Sequence, residues 1–162
     1  MENPKLQYLP HIGYVSLYPF LLHLLPVDSS YLHNILDQLT DSELLWSNYG
    51  IRSLAKSSAF YNKRNTEHDP PYWRGAIWIH FNYLALRALH HYHSESNDTR
   101  LKERLMSAYS DLRFNVISNV ERVFKETNTV WEQYNDIDGH GQYSSSFTGW
   151  SALVLLIKDE LY

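Results

Sequence analysis

Two long stretches with helical spacing, 73–92 and 98–127, constrain this chain more than any other feature. In the first, Trp73, Ile77, Phe81, Leu84, Ala88, Leu89 and Tyr92 recur at helical steps and define one broad apolar face. In the second, Leu101, Leu105, Tyr109, Leu112, Val116, Val120 and Val123 or Phe124 recur three or four apart, and Asp98 is placed to cap the start. Helices with such stripes bury them against other helices. Pro70-Pro71 imposes an extended approach to the first. Beside its apolar face, Arg74, Trp78 and Asn82 lie four residues apart, so the expected helix makes them neighbours in a stripe of a cation, an indole and an amide.

The remaining segments are shorter. A nearly continuous apolar run from Ser16 to Leu25 turns at Pro26–Ser30 into YLHNILDQL, where Leu32, Ile35, Leu36 and Leu39 keep helical spacing, so two short helices joined by a turn are expected. Positions 40–72 have no sustained period. Their aromatic content argues against disorder, because Trp46, Tyr49, Phe60, Tyr61 and Tyr72 would otherwise expose much apolar surface. FTGWSALVLLIKDELY closes the chain as an apolar helix. Alternating polar and apolar runs are lacking, so no strands are expected and the class is all-α. Helices arriving in pairs with long connections favour packed helical hairpins over an isolated four-helix bundle. At 162 residues, one domain suffices.

Composition excludes several functions. Fourteen basic residues against 18 acidic ones leave no positive field to grip phosphates, so nucleic acid is not expected as a partner. No cysteine is present, which removes disulfides, thiolate nucleophiles and thiolate metal sites. GYVSLYPFLLHLLP falls short of the roughly 20 apolar residues a membrane helix needs, and MENPKLQYLPHIG does not read as a secretory signal, so neither an anchor nor an address is expected here. The excess is aromatic: 13 Tyr, 5 Trp and 6 Phe, a set suited to stacking on sugar faces and equally to a ring-rich core.

Three local patterns have ordinary explanations. HHYH at 90–93 points its imidazoles in different directions around a helix end, unlike a metal site, and no cofactor is expected. DIDGHG lacks the further oxygen ligands of a calcium loop and reads as a flexible acidic turn. Asn97-Asp98-Thr99 has the N-glycosylation pattern, which requires a secretory route. Glu132 stands apart: Trp131 offers it an apolar wall, Tyr134 a hydroxyl, and its loop joins two apolar helices. Such a site can tune a carboxylate, and glycoside hydrolysis uses two of them, although exposed loop glutamates are far commoner.

The motifs YWRGAIWIHFNYLALRALHHY (72–92), WEQYNDIDGHG (131–141) and FTGWSALVLL (147–156) resemble the C-terminal part of the processing α-glucosidases of glycoside hydrolase family 63. GYVSLYPFLLHLL (13–25) and LWSNYGIRSLAKSSAFYNKRNTEHDPPYWRG (45–75) follow the same pattern, so residues 1–162 align with the C-terminal part of that family's catalytic domain. The resemblance implies an (α/α)6 barrel, of which this chain would form roughly the C-terminal half. It implies an inverting glycosidase that removes the terminal α-1,2-linked glucose from the N-linked precursor glycan in the endoplasmic reticulum. Glu132 matches the general base; Trp73, Arg74, Trp78 and Asn82 match a pocket-lining helix, and Trp131, Gln133 and Tyr134 flank the base.

The resemblance also implies a gap. The barrel needs about twelve helices where this chain offers five or six, and the family's general acid is an aspartate upstream of the residues present here. Nothing in the pattern supports Asp69 or Asp136 as a substitute. A base without its acid forfeits about 10² to 10⁴-fold in rate, so the chain alone is expected to be nearly inactive. Partners implied are a glucosylated N-linked oligosaccharide and the N-terminal half of the enzyme. The alternatives are a non-catalytic helical module that binds glycan or protein, and a degenerate fragment without function.

Overall fold

The computed structural model describes Leu6, residues 8–160 and Tyr162, so part of the polar start MENPKLQ lies outside the described residues. Five α-helices are present among them: α1 (Tyr14–Leu21), α2 (Tyr31–Thr40), α3 (Ile79–Glu95), α4 (Thr99–Thr127) and α5 (Leu153–Lys158). The all-α class agrees with this content. Helices α3 and α4 form a hairpin across a three-residue connection. Asp98 caps α4 as its position suggests, its Oδ1 accepting from the Leu101 N–H at 3.0 Å, and Asn128 ends the helix in a left-handed conformation with its N–H on the Phe124 carbonyl at 2.7 Å. The α4 stripe is buried from Leu101 to Val123, while Phe124 is exposed.

The N-terminal pair packs on this hairpin. Tyr14, Leu17, Phe20 and Leu21 are buried on α1, and Leu32, Leu36 and Leu39 on α2. The Tyr92 hydroxyl donates to the Leu25 carbonyl at 3.1 Å, and its ring stacks on Phe20, which ties the α1–α2 turn to α3. The histidines at the end of α3 diverge: His91 stacks on His23 with centroids 4.2 Å apart, whereas His93 lies against the Lys102 carbonyl.

Helix α3 begins at Ile79, six residues later than its apolar spacing suggests. Gly75 has φ of 143°, which interrupts a helix, and Ile77 pairs its backbone with Tyr134 in both directions, N–H to carbonyl at 2.8 and 2.9 Å. Arg74, Trp78 and Asn82 therefore do not form a stripe on one helix; Trp78 is the N-cap of α3 and Arg74 lies before it. Strands are present as well. β1 (Trp46–Ser47) pairs with β2 (Gly50–Ile51), and β3 (Trp131–Tyr134) with β4 (Gly141–Ser145), both antiparallel. Bridges from Arg52 to Ile77 and from Ile77 to Tyr134 link the two hairpins into one row of extended segments. Most contribute only one or two rungs, too few for alternation to be legible in sequence.

A buried ion pair clamps this row. Arg52 donates through Nε to Asp136 Oδ2 at 2.7 Å and through Nη1 to the Trp46 and Ser42 carbonyls, and Tyr61 donates to the same carboxylate oxygen at 2.5 Å. Burial first, and the hydrogen bond to Asp136 second, push the Tyr61 hydroxyl up to about 12, so it remains a donor. Removing one member of a buried pair leaves the other charge uncompensated. Asp136→Asn is expected to cost about 3 to 5 kcal/mol, read as a lower urea midpoint with an unchanged slope.

Candidate functional site

The WEQY segment is strand β3, fixed on both edges. One edge is held by the Ile77–Tyr134 pair, the other by β4 in a register of Trp131 with Ser145 and Gln133 with Gln142. One residue intervenes on β3 and two on β4, so a bulge places Tyr143 and Ser144 opposite Glu132; Tyr143 accordingly takes a φ of 63°. At Gly141 a Cβ would lie 2.1 Å from the Trp131 ring, so only glycine lets that indole lie down on the hairpin. The DIDGHG turn is closed by Asn135, whose Oδ1 accepts from the Ile137 and Asp138 N–H groups. A 3₁₀ turn at Trp150–Ala152 completes the support: Trp150 Nε1 donates to the Glu132 carbonyl at 2.7 Å, and Ser151 Oγ to that of Trp131 at 2.5 Å.

Glu132 is 8% exposed, and the hydrogen bond to its carboxylate is a long one, 3.4 Å from the Ser144 N–H. No cation pairs with it among the described residues. Asp136, four residues on, is equally buried yet has an arginine and a tyrosine on it. A buried carboxylate without a cation is energetically costly, so a fold retains one only where something outweighs that cost.

Beside it rises an aromatic wall. Trp73 and Trp78 stack with centroids 3.7 Å apart and planes 7° from parallel, and Tyr72 stands perpendicular to Trp78 at 4.7 Å. Tyr143 extends the wall through Tyr72 at 4.9 Å, and Trp150 through Trp78 at 5.6 Å. Glu132 meets both ends: its carbonyl binds Trp150, and its charge helps hold the Tyr143 hydroxyl above its ordinary value, after the larger effect of burial and together with Asp69. Trp73 keeps 45% exposure and stacks on no ring but Trp78 among the described residues, so it is the open member of the stack. Around this wall, Trp78 Nε1, His80 Nδ1 and both ends of the Gln133 amide are buried without a hydrogen-bond partner. Native interiors leave few such atoms unsatisfied, so four around one wall are unusual.

The other expected site residues divide. Trp73, Trp78, Glu132 and Gln133 gather at the wall. Trp131 lies on the hairpin with Nε1 donating to Thr127, and the buried Tyr134 hydroxyl accepts from the Trp131 N–H. Arg74 donates to the Lys63 and Arg64 carbonyls and lies over the Phe60 ring. Asn82 is wholly buried, with Oδ1 accepting from the Ile51 N–H at 2.7 Å and Nδ2 donating to the Trp78 carbonyl at 2.8 Å, so its amide fixes backbone. Tyr72, His80, Tyr143 and Trp150 were not legible as site residues, because only the Ile77–Tyr134 pairing brings their segments together. A larger hollow of about 460 Å³ lies elsewhere, an apolar groove between α4 and α5 lined by Val120, Phe124, Val130 and Leu155.

His80 carries a pH signature. Burial lowers its imidazole from 6.5 to about 4, so the ring is neutral in the folded chain at neutral pH. The unfolded chain takes up this proton first as pH falls, so the neutral ring's contribution to stability is full above 6.5 and is lost progressively down to about 4. His80→Phe is expected to flatten the fall in urea midpoint across that window.

Comparison with known proteins fits this arrangement. The description of the glycosyl hydrolase family 63 C-terminal domain matches residues 1–160. The mannosyl-oligosaccharide glucosidase GCS1 of Arabidopsis thaliana is 49% identical over 160 residues, covering 99% of this chain and 18% of that protein. The Arabidopsis alpha-glucosidase 2 is 47% identical over 160 residues, 99% of this chain and 20% of its own length. A probable mannosyl-oligosaccharide glucosidase of Schizosaccharomyces pombe is 42% identical over 153 residues, 94% of this chain and 18% of its own length. The chain thus spans about a fifth of the curated relatives it matches, and across nearly its whole length it belongs to glycosyl hydrolase family 63, as a C-terminal domain of that family.

Proposed function

We propose that this chain is the C-terminal portion of an inverting α-glucosidase that removes the terminal α-1,2-linked glucose from the N-linked precursor glycan, with Glu132 as its general base. The observation that carries the reading is a buried carboxylate without a cation at the edge of an aromatic wall. A base must have its lone pairs free for a proton, and Glu132 holds only the long contact from Ser144. In an inverting reaction it takes a proton from the water that attacks the anomeric carbon, while an acid on the opposite face protonates the leaving oxygen. This reading assigns the acid to an aspartate outside these 162 residues, because Asp136 is committed to Arg52 and Tyr61.

In this reading the open side of Trp73 receives the sugar ring and Trp78 backs it, while Gln133, wholly buried, supports the wall from within β3 and does not touch the sugar. Trp131 and Tyr134 hold β3, Asn82 fixes the backbone beneath the wall, and Arg74 orders the approach to it. The hairpin of α3 and α4 and the pair α1–α2 are two units of an (α/α)6 toroid whose sugar pocket is at the end carrying the extended row. The names of the relatives support the substrate class, and this reading puts the enzyme in the endoplasmic reticulum, as the family resemblance implies. A second reading, a glycan- or protein-binding helical module, is favoured by the apolar groove that exposes Phe124 and Leu155.

A chimera separates the two. Residues 1–160 replacing the matching segment of the Arabidopsis mannosyl-oligosaccharide glucosidase are expected to give an enzyme that releases glucose as the β-anomer. Glu132→Gln in that chimera lowers kcat by about 10² to 10⁴-fold with the thermal midpoint unchanged. Activity retained in the Gln variant would remove Glu132 from the mechanism.

A further inference from the structure

His80 belongs to none of the roles assigned so far, yet it occupies a distinctive place. Its imidazole stands perpendicular to both members of the tryptophan stack, 89° to Trp73 and 85° to Trp78, with centroids at 6.0 and 5.8 Å. Two parallel indoles that meet one ring at right angles must present it a shared edge. Trp150, the residue that bonds the Glu132 carbonyl, lies 5.0 Å from the same imidazole, and Phe81 lies 4.6 Å from it. Four rings therefore fix the imidazole in position while making no hydrogen bond to it. Of its two nitrogens only Nδ1 is among the sealed, unpartnered atoms, and the residue as a whole is half-buried.

We propose that His80 is a sugar-binding residue of this site, whose imidazole hydrogen-bonds a hydroxyl of the hexose stacked on the open side of Trp73. The inference rests on the glycan-binding reading of the wall given above. A stacked pyranose carries its hydroxyls around the rim of the ring, so the group that meets them has to stand at the edge of the platform and rise across its plane. His80 is placed in that way. The neutral imidazole suits the task, since a proton on Nε2 leaves the sheltered Nδ1 as a bare lone pair and makes the other nitrogen a donor. The low imidazole pKa keeps that form in place through neutral and mildly acidic pH.

The test uses the 162-residue chain itself and methyl α-D-glucopyranoside as probe, followed by tryptophan fluorescence at pH 7 and at pH 5.5. Wild-type binding is expected to saturate with the same Kd at both pH values. His80→Phe keeps a ring against the four aromatics and removes the hydrogen bond, and is expected to weaken binding about threefold to tenfold. His80→Gln restores an amide at the outer position and recovers most of that loss, and near-UV circular dichroism of both variants verifies the packing. Trp73→Ala removes the platform. If it abolishes binding while His80→Phe binds as wild type does, the platform stands and the role given to His80 is overturned. If the wild-type chain shows no saturable binding, the glycan-binding reading of the wall fails and the assignment of His80 fails with it.

Discussion

The reciprocal backbone pair between Ile77 and Tyr134 is the contact on which the site depends. It does two things at once. On one side it keeps residues 75–78 extended, which delays α3 to Ile79 and leaves Trp78 as an N-cap. On the other it docks β3 against those residues, so the register sets Trp78 across from Gln133 and brings Glu132 to the wall. Together with the break at Gly75, that pair keeps the apolar spacing of 73–78 from being helix.

Much of the fold was legible because it is carried by long periodic segments. The α4 stripe from Leu101 to Val123 is buried as its spacing indicates, and the Asp98 cap needs only local geometry. The start of α3 was not legible, since Gly75 breaks a pattern whose apolar residues run straight through it. Nor were the strands: a two-residue strand has no period, and β3 is half of a hairpin whose bulge hides its alternation. At the site, Glu132 attracted notice through its neighbours in sequence, and the family resemblance gave it a role. Trp150 meets it only through tertiary structure, 18 residues away, and His80 joins the site through the ring of Trp150.

Two carboxylates on one hairpin illustrate how environment sorts identical chemistry. Asp136 and Glu132 are similarly buried, but the first sits against Arg52 and Tyr61 and the second against rings and a backbone N–H. The satisfied group closes the row of extended segments and is neutralised by its arginine. The other is held through its backbone, along both edges of β3 and from behind through carbonyls that accept from Trp150 and Ser151. Rigidity of the backbone and freedom of the side chain are thus supplied by different groups.

That support from behind has a consequence for biogenesis. The residues holding β3 arrive from both directions along the chain, Ile77 long before it and Ser151 well after it. Helices α1 to α4 can collapse on one another as they leave the ribosome, whereas β3 stays without its last two anchors until residue 151 has emerged. The site is therefore completed only after helices α1 to α4 have been made, and a substitution at Trp150 or Ser151 would first be felt as a loss of correctly folded chains.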